Sequence, residues 1–237
     1  MPIALLWNYA IHGTMLGARN LKYSGDVMGI ASRELERRLG VPALFVNGAV
    51  GDVSPRRHGH AAALTDGGAL AAAVLDLWER ATPAAAGALA MRTVRVELPV
   101  PHVSLRNCVG RWVPRALTLP LARTLPRDTE LTGGALGAAA WVTIPGELQA
   151  QLGRAVRQAA GGAARGFVAG VSNDYLGYFL AAEDYPRVTY VACASVYGPE
   201  AGALVTHAAS DLMRALAGRA SRGAAGLPQA RAPRGDR

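Results

Sequence analysis

The sequence predicts a mixed α/β fold, in which a sheet with parallel-type strands is flanked by helices. Short apolar runs alternate with amphipathic segments, and loops rich in glycine and proline separate them. The 237 residues are 51% hydrophobic, which supplies enough apolar side chains for one sizeable core or two small ones. No apolar run approaches the roughly 20 residues that cross a bilayer, so the sequence excludes a transmembrane helix.

The first half of the chain contains two strand-loop-helix units. The apolar run 3–10 predicts a buried strand that ends before the polar cluster at His12. A helix is predicted over Asp26–Leu39, because apolar side chains recur there at helical spacing and glycine and proline follow. The second unit consists of a strand over 43–46, a glycine-punctuated loop over 47–55 and a helix over Gly68–Ala81.

The second half is predicted to continue this pattern after a region that is difficult to assign. Residues 101–132 contain four prolines among arginines and leucines, which predicts loops with one short helix. Gly218–Arg237 has almost no large apolar residue and is predicted to be a disordered tail, so the folded domain covers residues 1–217. The other predicted elements are a half-exposed strand over Met91–Val100, buried strands over 138–144 and 166–171, and helices over 147–160 and 199–217.

The net charge of +8 does not predict a nucleic-acid-binding protein. The chain has 24 arginines and one lysine, Lys22, and six of the arginines lie from Arg214 onward against Asp236 alone. The 213 residues before Arg214 carry 19 basic and 16 acidic residues, a net charge of +3. No aromatic side chains that could stack on bases are interleaved with the arginines of the tail.

Two features bear on the cellular compartment. Cys108 and Cys193 are predicted to be ordinary buried thiols, because two cysteines 85 positions apart suggest neither a zinc knuckle nor a disulfide framework. The first residues lack the basic region and long apolar stretch of a secretory signal, so no signal is predicted and the compartment stays unknown.

Three predicted strands end in segments that carry a possible metal ligand, His12, Glu147 or Tyr178, and a fourth strand, 43–46, ends near Ser54. Loops at the carboxyl ends of strands are where α/β proteins bind ligands, so this placement favours a site. Each residue also has a structural interpretation. The histidine can be a hydrogen-bonded structural residue, the serine a turn residue, the glutamate a carboxylate at a helix N-terminus and the tyrosine a packed side chain.

Six segments occur in a fixed order over roughly residues 5–60 and 138–212. They are Asn8-Tyr9-Ala10-Ile11-His12-Gly13-Thr14 with 24–32 after it, Gly51-Asp52-Val53-Ser54-Pro55, Ile144-Pro145-Gly146-Glu147, Asn173-Asp174-Tyr175-Leu176-Gly177-Tyr178, Glu183-Asp184-Tyr185, and Ala194-Ser195-Val196-Tyr197-Gly198-Pro199. In amino-acid sequence and in order, these segments resemble motifs of the neutral/alkaline (non-lysosomal) ceramidase family. Residues 61–137 match that family poorly, and the tail does not match it.

The resemblance implies an incomplete ceramidase-like catalytic domain. Its activity would be zinc-dependent hydrolysis of the N-acyl amide bond of ceramide-like sphingolipids to sphingosine and fatty acid. His12, Glu147 and Tyr178 would be the zinc (Zn2+) ligands. Tyr190 would donate a hydrogen bond to the developing oxyanion, and Ser54 would be the active-site serine, either as nucleophile or as a group that positions water. The implied partner is a ceramide-like lipid, with peripheral membrane contact and no nucleic acid.

The sequence also departs from the family pattern. Upstream of His12 it lacks the family's His-x-His motif, which supplies another zinc ligand, and a substrate-binding arginine, and the C-terminal β-sandwich domain is missing. The His-x-His of this chain, His58-Gly59-His60, follows Ser54 and is predicted to be an exposed loop. Gly13 stands where the family commonly has proline. Two functions therefore stay open: a zinc amidohydrolase, completed by a separately encoded N-terminal half, and a non-catalytic lipid- or partner-binding remnant of the fold.

The zinc hypothesis makes a geometric prediction. His12, Glu147 and Tyr178 must converge in space although up to 166 positions separate them in the chain. Ligand atoms lie about 2.0–2.3 Å from a zinc ion, so the three side chains should lie within roughly 4 Å of one another.

Overall fold

A four-stranded mixed sheet and a smaller parallel sheet beside it form the framework of the fold. The computed structural model describes residues 2–83, 87–121, 123–162 and 165–225, and within these ranges it contains ten strands and six helices. The strands are β1 Leu5–Tyr9, β2 Ala43–Asn47, β3 Ala90–Glu97, β4 His102–Ser104, β5 Thr118–Pro120, β6 Asp128–Leu136, β7 Ala139–Ile144, β8 Glu147–Leu148, β9 Arg165–Gly170 and β10 Tyr178–Phe179. The helices are α1 Asp26–Leu39, α2 His60–Glu79, α3 Leu105–Val109, α4 Ala150–Gln158, α5 Tyr190–Cys193 and α6 Ala201–Ala225.

The smaller sheet pairs β1 with β2 in parallel, and helices α1 and α2 pack beside it. Leu5 and Trp7 of β1 join Leu35 of α1 and Ala71 of α2 in one apolar cluster. The two helices can approach closely because Gly67 has no side chain: a Cβ there would overlap the side chain of Ile30. Burying these side chains is the main favourable contribution to folding of this half.

The larger sheet has the strand order β3-β6-β7-β9, with two antiparallel pairs followed by the parallel pair β7-β9. Helix α6 packs on β3, β6 and β7, and α4 packs on β9. The core between sheet and helices contains these fully or nearly fully buried side chains: Leu131, Val142, Ile144, Leu148, Val156, Val168, Val205, Leu212, Met213 and Leu216.

The two sheets meet where β2 and β9 end. The Asn8 amide donates to the carbonyls of Val46 in β2 and Val168 in β9. Just beyond these residues, a Cβ at Gly170 would overlap the Gly48 carbonyl oxygen, so the two chain segments touch backbone to backbone. The carboxyl ends of strands from both sheets therefore lie together.

The predicted fold class is confirmed, but several element boundaries were wrong. Strand β6 lies largely in the region predicted to be loops, because Gly133 and Gly134 resemble a break. In the fold these glycines allow close packing: a Cβ at Gly133 would meet Leu212 and Leu216, and one at Gly134 would overlap the Trp141 ring.

Helix boundaries also differ from the predictions. Helix α2 begins at His60 instead of Gly68, since the alanines of 61–63 favour helix. Glu147 does not begin a helix: it lies in β8, and α4 begins at Ala150. Helix α6 continues to Ala225, past the predicted tail boundary at 218, because alanine and arginine favour helix there. Residues 226–237 of the predicted tail lie outside the described residues.

By length and composition, α2 is apolar enough to cross a membrane, contrary to the expectation from sequence. A single helix of this kind among the described residues is a weak indication, because core helices pass the same test. Helix α2 packs against α1 through Ala63, Gly67 and Ala71, its buried residues.

The prediction of free thiols at Cys108 and Cys193 is wrong. The two residues form a disulfide between α3 and α5, with Cα atoms 4.7 Å apart. Separation along the chain does not set separation in space, and here Asn107 helps to bring the two helices together. Its buried amide donates to the carbonyls of Tyr185 at 2.9 Å and Ala192 at 3.5 Å.

We expect the disulfide to contribute substantially to stability, because it closes a loop across 85 positions. Replacing both cysteines, Cys108→Ser with Cys193→Ser, should lower the free energy of unfolding by about 2–4 kcal/mol in equilibrium urea denaturation. A reductant should destabilise the parent by a similar amount and leave the double variant unchanged. Equal urea midpoints for parent and double variant would contradict the prediction.

Candidate catalytic site

Glu147 lies at the centre of the candidate site. The chain leaves β7 at Ile144, turns through Pro145-Gly146 and enters β8 at Glu147. Strand β8 pairs in parallel with β10, which places Tyr178 directly opposite Glu147, and the Glu147 amide donates to the Gly177 carbonyl at 2.9 Å. Backbone pairing thus fixes the glutamate beside the tyrosine.

His12 reaches the same carboxylate from the end of β1. Its backbone amide donates to the Val53 carbonyl at 3.1 Å, and its Nδ1 lies 2.9 Å from the same oxygen. A carbonyl only accepts hydrogen bonds, so Nδ1 carries a proton. The other ring nitrogen, Nε2, lies 2.6 Å from Glu147 Oε2. The ring is therefore held at both nitrogens with Nε2 directed at the carboxylate.

Tyr175 is a member of the site that the sequence analysis did not single out. Its hydroxyl donates to Glu147 Oε1 at 2.8 Å. The only signal in the sequence was its place three residues before Tyr178 in the tyrosine-rich segment. The turn leading to it holds Val171 at φ 52° and Asn173 at φ 73°. Left-handed backbone is strained for a β-branched residue such as valine, and such strain concentrates at functional sites.

The loop that carries Ser54 packs against the backbone of Glu147. The Gly51 amide donates to the Leu148 carbonyl at 2.9 Å, and a Cβ at Gly51 would come within 2.6 Å of the Glu147 carbonyl oxygen. Asp52 then accepts a hydrogen bond at 2.7 Å from the amide of Ala150, the first residue of α4. A carboxylate at this position satisfies a free amide at the helix N-terminus.

The electrostatics of the site are those of a charged pair. Burial raises the pKa of Glu147, but hydrogen bonds from His12, Tyr175 and Tyr178 lower it by more, so it lies below its ordinary value. The hydrogen bond to Glu147 raises the pKa of His12, against the opposing effect of partial burial. Burial and then the Glu147 carboxylate raise the pKa of Tyr175 to about 12 and that of Tyr178 still further. Both tyrosines therefore keep their protons at neutral pH in the metal-free protein.

The other two predicted site residues lie beside this cluster. The Tyr190 ring packs edge-on against Tyr178 at 5.9 Å between centroids, and Tyr190 is 75% exposed. Ser54 directly follows Val53, whose carbonyl holds His12, and its side chain makes no hydrogen bond within the part of the chain that the structure describes. Within the same ranges, no group of three or more His, Cys, Asp or Glu side chains could hold a metal ion. The exposed His58-Gly59-His60 segment therefore forms no such group with them.

Two solved ceramidase structures are among those that resemble this chain in fold. One, described as neutral ceramidase from Pseudomonas aeruginosa, superposes with a TM-score of 0.71 at 20% identity, over 90% of this chain and 44% of that chain. Another, described as ceramidase complexed with C2, gives a TM-score of 0.73 at 18% identity, over 91% and 46%. This chain thus has the fold of part of a ceramidase and spans less than half the length of these structures. No protein-family model matches the sequence, and no curated protein matches it.

The His12–Glu147 pair predicts how stability depends on pH in the metal-free protein. The raised His12 pKa contributes stability that is complete below the ordinary value of 6.5 and is lost as pH rises through the folded pKa. The lowered Glu147 pKa contributes stability that is complete above 4.5 and is lost as pH falls through the folded pKa. The pair should therefore stabilise the fold most between these two values.

Urea unfolding with a chelator present tests this prediction. Stabilisation by the pair should be larger at a pH of about 5.5 than at about 8.5, and His12→Gln should remove that difference. His207→Gln is the matched control, because His207 is an exposed histidine that lies 3.5 Å from Asp211 on α6. An unchanged pH dependence in the His12 variant would show that the pair does not stabilise the folded state.

Proposed function

We propose that this chain forms part of the catalytic centre of a zinc-dependent amidohydrolase of the neutral ceramidase type. The substrate would be a ceramide-like sphingolipid, whose N-acyl amide bond is hydrolysed to a sphingoid base and a fatty acid. The observation that supports the proposal most is the meeting of His12, Tyr175 and Tyr178 at Glu147, in a fold that superposes on ceramidase structures.

The residues at Glu147 have the chemistry that zinc requires. Imidazole nitrogen and carboxylate oxygen are ordinary zinc ligands, and the Val53 carbonyl orients His12 in the manner of an outer-shell partner. The proton between His12 Nε2 and Glu147 Oε2 occupies the place where both groups would face a cation. We assign His12, Glu147 and Tyr178 as the zinc ligands of this chain.

When bound, zinc would supply polarisation of the amide carbonyl and a lower pKa for the attacking water. In hydrolysis a bond forms between the water oxygen and the acyl carbon, the carbon–nitrogen bond breaks, and the amine leaves with a proton. Tyr190 would keep its proton and donate a hydrogen bond to the carbonyl oxygen as negative charge develops there. Its exposed position beside Tyr178 leaves that hydroxyl accessible to a substrate.

Tyr175 and Ser54 have different parts in this scheme. Tyr175 holds Glu147 Oε1 and keeps its own proton, so it fixes the orientation of the carboxylate. Ser54 has a free hydroxyl next to the segment that holds His12, and it serves as nucleophile or as a group that positions water. Both functions use a hydroxyl that is not already bonded within the protein.

A non-catalytic remnant that binds lipid or a protein partner is the second candidate. The observation that favours it is the direct hydrogen bond between His12 and Glu147, which satisfies both groups without a metal. Such a remnant would fold cooperatively and retain no stoichiometric zinc. A separately encoded N-terminal half belongs to the first candidate, since it would supply further site residues.

Hydrolysis of a fluorescent short-chain ceramide by the zinc-loaded protein tests the catalytic proposal. We expect product release that a chelator abolishes and that Glu147→Gln lowers at least about 100-fold, because the glutamate would hold both the metal and His12. Glu79→Gln on the exposed end of α2 is the matched control and should retain full activity. Turnover that survives both the chelator and Glu147→Gln would contradict a zinc mechanism at this site.

Substitution of Tyr178 and substitution of Tyr190 should have different effects. Tyr178→Phe should weaken zinc binding, because it removes a ligand, whereas Tyr190→Phe should keep zinc bound and lower turnover by about 10²–10³-fold. Metal content after dialysis against a zinc buffer distinguishes them, with exposed Tyr23→Phe as the control. Equal zinc occupancy in Tyr178→Phe and the parent would exclude Tyr178 as a ligand.

A further inference from the structure

One region of the chain is basic and has no acidic residue. Residues 98–127 contain five arginines and no aspartate, glutamate or lysine. This contrasts with the 213 residues before Arg214 as a whole, in which basic and acidic residues nearly balance. The proposed catalytic scheme assigns no role to this stretch, and it lies within the residues that match the ceramidase motifs poorly.

Most of this stretch folds into a small lobe that closes on itself, here called the β4–β5 lobe (residues 102–120). Strands β4 and β5 pair antiparallel, and the Leu105 amide donates to the Leu117 carbonyl at 3.2 Å. Inside the lobe, the Arg106 guanidinium donates to the carbonyls of Arg111 and Val113. The lobe therefore has a fixed shape and is not a loose loop.

The β4–β5 lobe exposes large apolar side chains. All residues of 111–120 except Val113 are exposed, and Trp112 is 80% exposed. The other exposed apolar side chains of the lobe are Val109, Leu117 and Leu119. Exposed apolar residues gathered in one small region mark a contact surface, because such residues scattered singly would need no explanation.

The charge of the β4–β5 lobe indicates the charge of the surface that would bind it. Arg111, Arg115 and the nearby Arg123 are exposed, and no carboxylate lies within ion-pair distance of them among the described residues. Arg106 and Arg115 also line a cavity of about 330 Å³ whose lining includes no acidic residue. The Arg106 Nε is buried and has no hydrogen-bond partner in the described part of the chain. A ligand for this region should therefore carry negative charge.

We propose that the β4–β5 lobe docks this protein on an anionic lipid surface. Trp112 and its leucine neighbours would enter the interface between headgroups and acyl chains, while Arg111 and Arg115 would contact lipid phosphates. Tryptophan and arginine suit such an interface, because each has an apolar part and a polar end that can stay hydrated.

The lobe is joined to the candidate site by a covalent bond. Cys108 in α3, within the lobe, is bonded to Cys193 in α5, the helix that begins with Tyr190. Docking of the lobe would therefore hold the candidate site near the lipid surface. This consequence rests on the proposed function, but the docking itself does not.

Vesicle sedimentation with the full-length, oxidised protein tests the docking. We expect binding to phosphatidylcholine vesicles that contain about 30% phosphatidylglycerol, weak binding to phosphatidylcholine alone, and loss of binding at about 0.5 M salt. Arg111→Ala with Arg115→Ala should weaken binding about 25-fold, at about five-fold for each arginine near the surface. Arg37→Ala with Arg38→Ala on α1 is the matched control, since these exposed arginines pair with Glu34 outside the lobe.

Tryptophan emission identifies the part of the protein that enters the lipid. Of the four tryptophans, Trp7 is buried, Trp78 and Trp141 are half-buried and Trp112 is the most exposed, so a blue shift on addition of anionic vesicles should come mainly from Trp112. The shift should disappear in Trp112→Phe, whose circular dichroism and unfolding midpoint should match those of the parent because the side chain makes few contacts.

Three outcomes would overturn the proposal. They are equal binding to neutral and anionic vesicles, no binding to either, and equal losses in the lobe variant and the α1 variant. Equal losses in the two variants are also the result expected if the protein binds vesicles through its C-terminal arginines, which every variant retains. None of these measurements uses turnover or zinc, so vesicle binding without hydrolysis would count against the proposed function alone, and hydrolysis without vesicle binding against the docking alone.

Discussion

The Glu147 carboxylate is the group on which the arrangement of the candidate site depends. It accepts hydrogen bonds from His12 after β1 and from Tyr175 after β9, and it faces Tyr178 in β10. A largely buried carboxylate without partners would be costly, so these contacts are needed to keep it charged inside the protein. The same contacts hold three distant segments of the chain in one place. The geometry of the candidate site therefore depends on one side chain.

The backbone around Glu147 explains why these segments can meet. Gly51 and Gly170 lie where two main chains touch, because a Cβ at Gly51 would come within 2.6 Å of the Glu147 carbonyl oxygen and one at Gly170 would overlap the Gly48 carbonyl oxygen. Two sheets can consequently bring their strand ends together at one edge. The left-handed Val171 and Asn173 turn the chain from β9 toward Tyr175. Close approach and local strain are both features of a backbone shaped for a site.

The β4–β5 lobe lies outside this centre but is linked to it. The disulfide and the Asn107 amide attach α5, with its exposed Tyr190, to α3 and thus to the β4–β5 lobe. Disulfides persist mainly in oxidising compartments. The molecule thus combines a buried, charge-paired cluster with an exposed tyrosine and a basic, apolar lobe.

The sequence by itself determined the fold class, the strands that end before His12 and Glu147, and the motifs that resemble ceramidases. Apolar periodicity and local motifs depend on neighbours in the chain, so these features can be inferred without a structure. Only the tertiary structure decided that Glu147 lies in a strand, that Gly133 and Gly134 belong to β6, that Cys108 bonds Cys193, and that Tyr175 joins the site. Each of these depends on a contact between distant residues: β8 with β10, β6 with α6, α3 with α5, and the β9 turn with Glu147. Such contacts arise from packing in three dimensions, which local sequence patterns do not encode.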